Sequence, residues 1–329
     1  MEEVSTPEVA PATVVVRPTA TGICGSEIEG YLGRMGNRTP PLVMGHEFAG
    51  TVTEVGEGAD EDLLGRTVAV NPLSSDGTCR LCRAGLTNLC PNRTLVGIHS
   101  PGGFAEYTLA PAANVYPLPE GVDARTGALA EPLANGVHVA RLGTAGGHPV
   151  ENAVVIGAGT IGLMCLQAAV LDGAPEVHAV EPHEARRGQA LALGATAAHA
   201  SGEEARDALD GATGGLGADL VIDAVGAEVT RRMAVELLRP GGRAVFIGLH
   251  DDDSTLGFHG LVRGQIDLQG SYAYTAQDFE QALDWLVEGR AGIGDLPPVL
   301  PLEEGPGAFA DLVKGPSEQI KVFLSGADS

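Results

Sequence analysis

Two rhythms of apolar and polar residues divide the chain. Up to residue 125 the apolar positions come in short runs, "ATVVVRPTATGI", "FAGTVTEVG", "RTVAVNP" and "FAEYTLAP", bounded by turn residues. Runs of this length, rich in Val and Thr, predict β-strands, and no segment there holds a long helical period. From about residue 126 strand and helix patterns alternate. "AVVIGAGTIGLMCLQAAVLDG" predicts a buried strand, a glycine turn and a helix, "EVHAVEP" the next strand, and "ARRGQALALGA" a helix ending at Gly194. "ADLVIDAVG", "VTRRMAVELLRPGG" and "RAVFIGL" continue the alternation. The expected fold class is α/β: an all-β domain over 1–125, then a doubly wound parallel sheet over 126–270 with helices on both faces. Beyond it, "TAQDFEQALDWLVEG" predicts an amphipathic helix with Phe279, Leu283 and Leu286 on one face, and "QIKVFLS" a last strand. Residues 271–329 are expected to return to the first domain.

Composition narrows the function classes. A length of 329 residues suits two domains. No apolar run reaches the roughly 18 residues a membrane span needs. The acidic start "MEEVSTPEVAP" lacks the pattern of a signal peptide, so a cytoplasmic location is expected. A net charge of −23 argues against a nucleic-acid partner. It leaves room for a phosphorylated cofactor, because backbone N–H groups at a helix start bind phosphate without lysine. Lys314 and Lys321 are the only lysines, a compositional bias that carries no functional reading. Of five cysteines, Cys79, Cys82 and Cys90 cluster, which favours metal over disulfide in a cytosolic chain. Cys165, inside a predicted helix, reads as a small buried hydrophobe.

Gly157, Gly159 and Gly162 form G-x-G-x-x-G, with Thr160 and Ile161 between the second and third glycines. The motif follows the apolar strand "AVVI" and opens a helix, the context in which such glycines bind a pyrophosphate at the positive helix end. Glu181 ends the next strand, 19 residues after Gly162. A carboxylate there accepts ribose hydroxyls and repels a 2′-phosphate, which favours NAD over NADP; Arg186 and Arg187 leave some room for NADP.

"TGICGSE" and "VMGHEF" place Cys24, His46 and Glu47 in glycine-flanked turns. Zinc accepts sulfur, imidazole and carboxylate donors, and a catalytic site keeps one position open. A second cluster, "DGTCRLCRAGLTNLC", spaces Asp76, Cys79, Cys82 and Cys90 by three, three and eight residues.

The stretches "GICGSE", "GHEFAGTVTEVG", "GGFAEY", "EPLANGVH" and "GAGTIG" resemble, in order and spacing, the zinc-dependent medium-chain alcohol dehydrogenases, most closely the polyol and threonine dehydrogenase branch. The resemblance covers essentially the whole chain. It implies a GroES-like β domain plus a Rossmann domain, a catalytic zinc on Cys24 and His46 with Glu47 and Glu131 at the acidic positions, and Ser26 as a proton relay. Where the family often has a histidine as the next relay member, this chain has Glu29, which either takes over or is surface charge. His138, near Glu131, reads as structural. The family's structural zinc is held by four cysteines; here Asp76 replaces the first, so the site is either Asp-Cys₃ or a loop without metal. Relatives also carry further residues before the equivalent of "VSTPEVAPATVVVR", so either the start is placed downstream or an edge hairpin is missing.

The expected activity is hydride transfer from a secondary alcohol to NAD, on a polyol, sugar, cyclitol or amino alcohol, with Zn2+ at the catalytic and also the structural site. An L-threonine 3-dehydrogenase is the nearest alternative. A zinc-free quinone or enoyl reductase, or a non-catalytic nucleotide-binding member, is disfavoured by the presence of Cys24, His46, Glu47 and Glu131. The resemblance also implies a homodimer or homotetramer, with a small polar alcohol as the only other partner.

Overall fold

The computed structural model describes residues 2–315 and 319–326. The chain divides into two units: residues 1–131, 275–289 and 293–329 form the first, and residues 132–274 with 290–292 form the second. The border thus falls at Glu131/Pro132, a few residues beyond the change of rhythm near 126.

The first unit opens with β1 (Thr13–Gly22), α1 (Gly25–Tyr31), β2 (Glu47–Val55), β3 (Thr67–Val70), β4 (Leu73–Ser74), α2 (Arg80–Arg83), β5 (Thr94–Leu95), β6 (Thr108–Pro111), β7 (Val115–Pro117) and α3 (Ala124–Ala128). Among the described residues its main sheet has seven strands and centres on β1. One side of β1 pairs antiparallel with β2 along most of its length, with register shifts at Val15/Val16 and Pro18/Ala20. Proline has no N–H to give the ladder, so an irregularity at Pro18 is its expected consequence. The core beneath is Val14, Val16, Phe48, Val52, Val68 and Val70, every second residue of the three central strands. The short β4–β5 ladder, Leu73↔Leu95 and Ser74↔Thr94, closes the loop that carries the cysteine cluster.

Helix α4 (Ala130–Thr144) starts in the last two residues of that first stretch and continues into the second unit, which goes on with β8 (Asn152–Ile156), α5 (Thr160–Leu171), β9 (Glu176–Val180), α6 (Glu184–Ala192), β10 (Ala197–His199), α7 (Gly202–Thr213), β11 (Ala218–Asp223), α8 (Glu228–Leu237), β12 (Leu238–Phe246), α9 (Phe258–Gly264) and β13 (Asp267–Gly270). Its strands run in the order β10-β9-β8-β11-β12-β13, all parallel. That is the doubly wound order, reversing direction between β8 and β11. Near-continuous burial of β8 and β11 explains why both read as apolar runs without alternation.

The chain then returns to the first unit with α10 (Ala276–Val287), β14 (Val299–Pro301), α11 (Gly305–Val313) and β15 (Phe323–Ser325). Phe279, Leu283 and Leu286 of α10 are buried, and Phe279 lies 5.1 Å from Tyr116 between ring centroids. β15 pairs with β1 at Thr21↔Leu324 and Gly22↔Phe323. The last described strand therefore meets the stretch that leads into Cys24.

Candidate metal centre and nucleotide site

Cys24 follows β1 and caps the first turn of α1, half-buried. Glu27, three residues on, is completely buried, and three donors satisfy its carboxylate. Oε2 accepts the Cys24 N–H at 3.0 Å; Oε1 accepts the Gly45 N–H at 2.7 Å and faces His46 Nδ1 at 2.9 Å. One side chain therefore fastens the Cys24 turn, the Gly45 turn and the imidazole. With Nδ1–H donating to Glu27, Nε2 is the lone-pair nitrogen available to a cation. Burial alone would lift the Glu27 pKa, but His46 and the two backbone N–H groups outweigh it and hold the carboxyl below 4.5.

Glu47 begins β2, beside His46, and is 1% exposed. Its Oε2 accepts a hydrogen bond from Lys321 Nζ at 2.5 Å, and Lys321 also donates to the Ile23 carbonyl at 3.1 Å. Burial would lower the Lys321 pKa, yet Glu47, then Cys24, raise it above its ordinary value. The other oxygen, Glu47 Oε1, is buried without a hydrogen-bond partner. An orphaned carboxylate oxygen is costly unless a cation meets it. Donor atoms of Cys24, His46 and Glu47 lie within 4.8 Å of one another, a sulfur, nitrogen and oxygen set that suits zinc. Glu131 is buried at the start of α4 but is not a member of that group.

Ser26 Oγ donates to Cys24 Sγ at 3.4 Å and accepts from Arg38 Nη2 at 2.9 Å. Glu29 has a side chain that is 40% exposed and pairs with Arg34 at 3.5 Å. A groove of about 2250 Å³ in the same unit, lined by Tyr31, Met44, His99, Phe104 and Phe309, includes none of the three donor residues.

The second cluster also comes together. Cys79 Sγ stands 3.4 Å from Cys82 Sγ and 4.0 Å from Cys90 Sγ, and Cys82 Sγ is 3.4 Å from Asp76 Oδ1. Thiolates about 2.3 Å from one tetrahedral zinc stand about 3.8 Å apart, so the spacing fits a single ion. It is too wide for a disulfide, and all these cysteines are free. Asp76 is held as an anion by Asn92 first, then by the Cys79 and Thr78 N–H groups, which keep its pKa well below the usual range. Burial, with the neighbouring sulfurs, pushes the Cys82 thiol up to about 11 in the metal-free chain.

In the second unit the glycine motif forms the turn between β8 and α5. A Cβ on Gly162 would lie 1.8 Å from the Gly157 carbonyl oxygen, so only glycine permits that approach. A Cβ on Gly159, by contrast, would meet nothing within 4 Å, which leaves a bare backbone cradle at the start of the helix. Thr160 and Ile161 form the first turn of α5. Glu181 is 4% exposed; Oε2 accepts the Ala158 N–H at 3.0 Å, and Oε1 takes the His183 N–H at 3.0 Å and His183 Nδ1 at 2.6 Å. Burial would raise its pKa, but these donors outweigh it and keep the carboxylate charged. Three of roughly four lone-pair positions are used, which leaves room for one further donor.

Three residues of these sites escaped the sequence reading. Glu27 sits within the quoted "GICGSE", and its spacing from the helix cap is a signal of its own. Lys321, read as compositional bias, is instead a buried ion-pair partner of Glu47. Arg38 had no local signal at all.

Two family profiles match the chain: "Alcohol dehydrogenase GroES-like domain" over residues 10–120 and "Zinc-binding dehydrogenase" over residues 160–288. The chain is 34% identical to 2-dehydro-3-deoxy-L-galactonate 5-dehydrogenase of Pseudoalteromonas atlantica, spanning 90% of this chain and 86% of that one. It is 33% identical to a probable D-xylulose reductase A of Aspergillus clavatus (96% and 90% covered). Identity to the L-threonine 3-dehydrogenase of Caldanaerobacter subterraneus subsp. tengcongensis is 31% (96% and 93% covered). Among solved structures, a zinc-binding dehydrogenase from Sinorhizobium meliloti bound to NADP superimposes with a TM-score of 0.87 at 30% identity, over 98% of this chain and 94% of that one. A GroES-like unit, a doubly wound nucleotide unit and these matches over nearly the full length lead to one conclusion: the chain belongs to the zinc-dependent medium-chain alcohol dehydrogenases, oxidoreductases that act on CH–OH donors with NAD(H).

Proposed function

We propose that Cys24, His46 and Glu47 hold the catalytic zinc, and that the substrate is a polar secondary alcohol of the polyol, sugar, cyclitol or amino-alcohol kind. The observation that carries the metal assignment is the convergence of a cysteine sulfur, an imidazole whose Nδ1 is occupied and the Glu47 carboxylate, one oxygen of which is buried without a partner. The substrate class rests on the relatives, whose names describe enzymes of sugar acids and xylulose. Zinc, when bound, would supply Lewis acidity that lowers the pKa of a hydroxyl, and NAD would supply a hydride acceptor.

The chain's own residues do the rest. Glu27 fixes the imidazole and the Cys24 turn together, so the donors keep their geometry when no ligand is present. Lys321 balances the Glu47 charge. Ser26 presents a hydroxyl beside Cys24. In the second unit, Gly157, Gly159, Thr160, Ile161 and Gly162 would hold the cofactor's pyrophosphate and Glu181 its adenosine ribose, the carboxylate charge opposing a 2′-phosphate. Oxidation of CH–OH to C=O would release a hydride, which bound NAD would accept, and a proton, which would pass to solvent. Glu131, buried at the start of α4, is proposed for the remaining acidic position of the site, as the resemblance implies. Asp76, Cys79, Cys82 and Cys90 hold a second, closed zinc that clips the loop shut below the β4–β5 ladder.

The first unit with its returning C-terminal segment is the catalytic domain and the second the NAD-binding domain. A cytoplasmic homo-oligomer is the expected form; the free edge at β13 and the exposed Leu268 on it support self-association there. The test is absorbance at 340 nm with NAD and a panel of polyols, sugars, cyclitols, threonine and simple secondary alcohols. Chelator-sensitive NADH formation is expected from a polar secondary alcohol. Equal rates before and after full removal of zinc contradict the proposal.

A further inference from the structure

The segment between α1 and β2 inverts the usual rule of polarity. From Tyr31 to Pro41 every described side chain is exposed or partly exposed except one, and the buried one is Arg38. Leu32 points to solvent while the guanidinium turns under α1. Burying a charge that lacks a counter-ion is costly. Arg38 Nε and Nη1 are nevertheless buried with no hydrogen-bond partner, and its side chain is recorded with a single bond, Nη2 to Ser26 Oγ at 2.9 Å. Room has been left for it. A Cβ at Gly30 would lie 2.8 Å from Arg38 Cγ and 3.1 Å from Cδ, so α1 carries glycine, a poor helix former, where the arginine stem crosses it.

A guanidinium has donors and no acceptor. Ser26 Oγ must therefore accept from Arg38, and its own proton has to point elsewhere. The acceptor recorded for it is Cys24 Sγ, 3.4 Å away. A free serine hydroxyl rotates to suit its surroundings; this one is held. We infer that Arg38 is a positioning residue: through Ser26 it fixes a hydrogen bond onto the sulfur of Cys24 and sets how nucleophilic that sulfur is as a metal ligand. The inference rests on the zinc reading of Cys24 given above and extends it outward by two side chains. It also makes Ser26 a donor toward the sulfur, with no onward transfer through Arg38, which cannot take a proton.

The experiment measures the sulfur directly. The zinc-loaded full chain is treated with iodoacetamide, a neutral reagent that the Arg38 charge does not steer, and peptide masses give a rate for each cysteine. A hydrogen-bonded sulfur is the weaker nucleophile, so Arg38→Met and Ser26→Ala are each expected to speed modification of Cys24 about fivefold, the size of one net hydrogen bond. The double variant is expected to be no faster than either single one, because both remove the same link. Cys79, Cys82 and Cys90 report on the same molecules and keep their wild-type rates.

Gly30→Ala retains Arg38 and Ser26 but crowds the arginine stem, and it too is expected to speed Cys24. A purely structural Arg38 predicts no such effect, since alanine favours the helix. Arg38→Lys, which keeps a charged donor, is expected to fall between wild type and Arg38→Met. A wild-type Cys24 rate in Arg38→Met with zinc retained, or multiplying effects in the double variant, overturns the inference. Zinc is counted on the same samples. If Cys24→Ala holds as much zinc as wild type, the metal assignment itself fails, an outcome distinct from failure of the Arg38 role.

Discussion

Replacing Lys321 with methionine leaves Glu47 charged, buried and without its partner. Both side chains are 1% exposed and the Nζ–Oε2 distance is 2.5 Å, so solvent screening gives little relief. Breaking a buried pair from one side costs about 3–5 kcal/mol, because the remaining charge stays desolvated. The Ile23 carbonyl loses its donor as well, about 1 kcal/mol more. The loss is expected to be largest without metal, since zinc supplies Glu47 with another positive neighbour. The chain's single tryptophan, Trp285, is buried in α10 of the first unit, so its fluorescence follows that unit alone through a guanidinium titration. With a slope of about 4 kcal/mol per molar, the metal-free Lys321→Met midpoint falls by about 1 M. Zinc should recover part of that shift, and Lys321→Met/Glu47→Gln should recover most of it in the metal-free protein. A shift under about 0.2 M without metal, or a double variant no more stable than the single, refutes the reasoning.

Further tests address other parts of the account. Glu27→Gln should lower zinc affinity about 10–100-fold by loosening His46, read by competition with a chromophoric chelator, while NADH formation falls in parallel. Gly162→Ala forces a side chain to within 1.8 Å of the Gly157 carbonyl, so NADH binding measured by fluorescence should disappear before the fold does. Cys90→Ala should release one zinc and open the loop between β4 and β5 to proteolysis, whereas Asp76→Cys should retain zinc more tightly. Burial would raise the Asp219 pKa, but the Asn152 N–H, Arg239 and the Glu151 N–H hold it below its ordinary 3.8. Its folded pKa is depressed, so its stabilisation is full above about 3.8 and is lost as pH falls through the lower folded value. Hydrogen exchange in β8 should therefore be faster in Asp219→Asn than in wild type at pH 6, the difference shrinking toward pH 2.

Much of this architecture was legible because local patterns and the global fold agree. The apolar run ahead of Gly157 could be a buried parallel strand, and it is; the spacing of Cys79, Cys82 and Cys90 pointed to one ion, and the sulfurs converge. Phe279, Leu283 and Leu286 share a face because their spacing leaves no other arrangement on a helix. What escaped was long-range or inverted. Lys321 meets Glu47 only because β15 returns to pair with β1, a contact across 274 positions that no window reveals. Arg38 lies in a polar, glycine- and proline-containing stretch, where a charged residue is expected to face water. Glu27 was within view, but a carboxylate three residues into a short helix reads first as a surface cap. Its role appears once Gly45 and His46 are brought to it from 18 and 19 residues away.

The most direct test counts metal. Zinc per chain, by elemental analysis of the purified protein and of Cys24→Ala, is expected to be two in the first and one in the second, with activity lost in the second. Cys24→Ala that keeps all the zinc of the wild type, or a wild type that oxidises alcohols with none, would contradict the account.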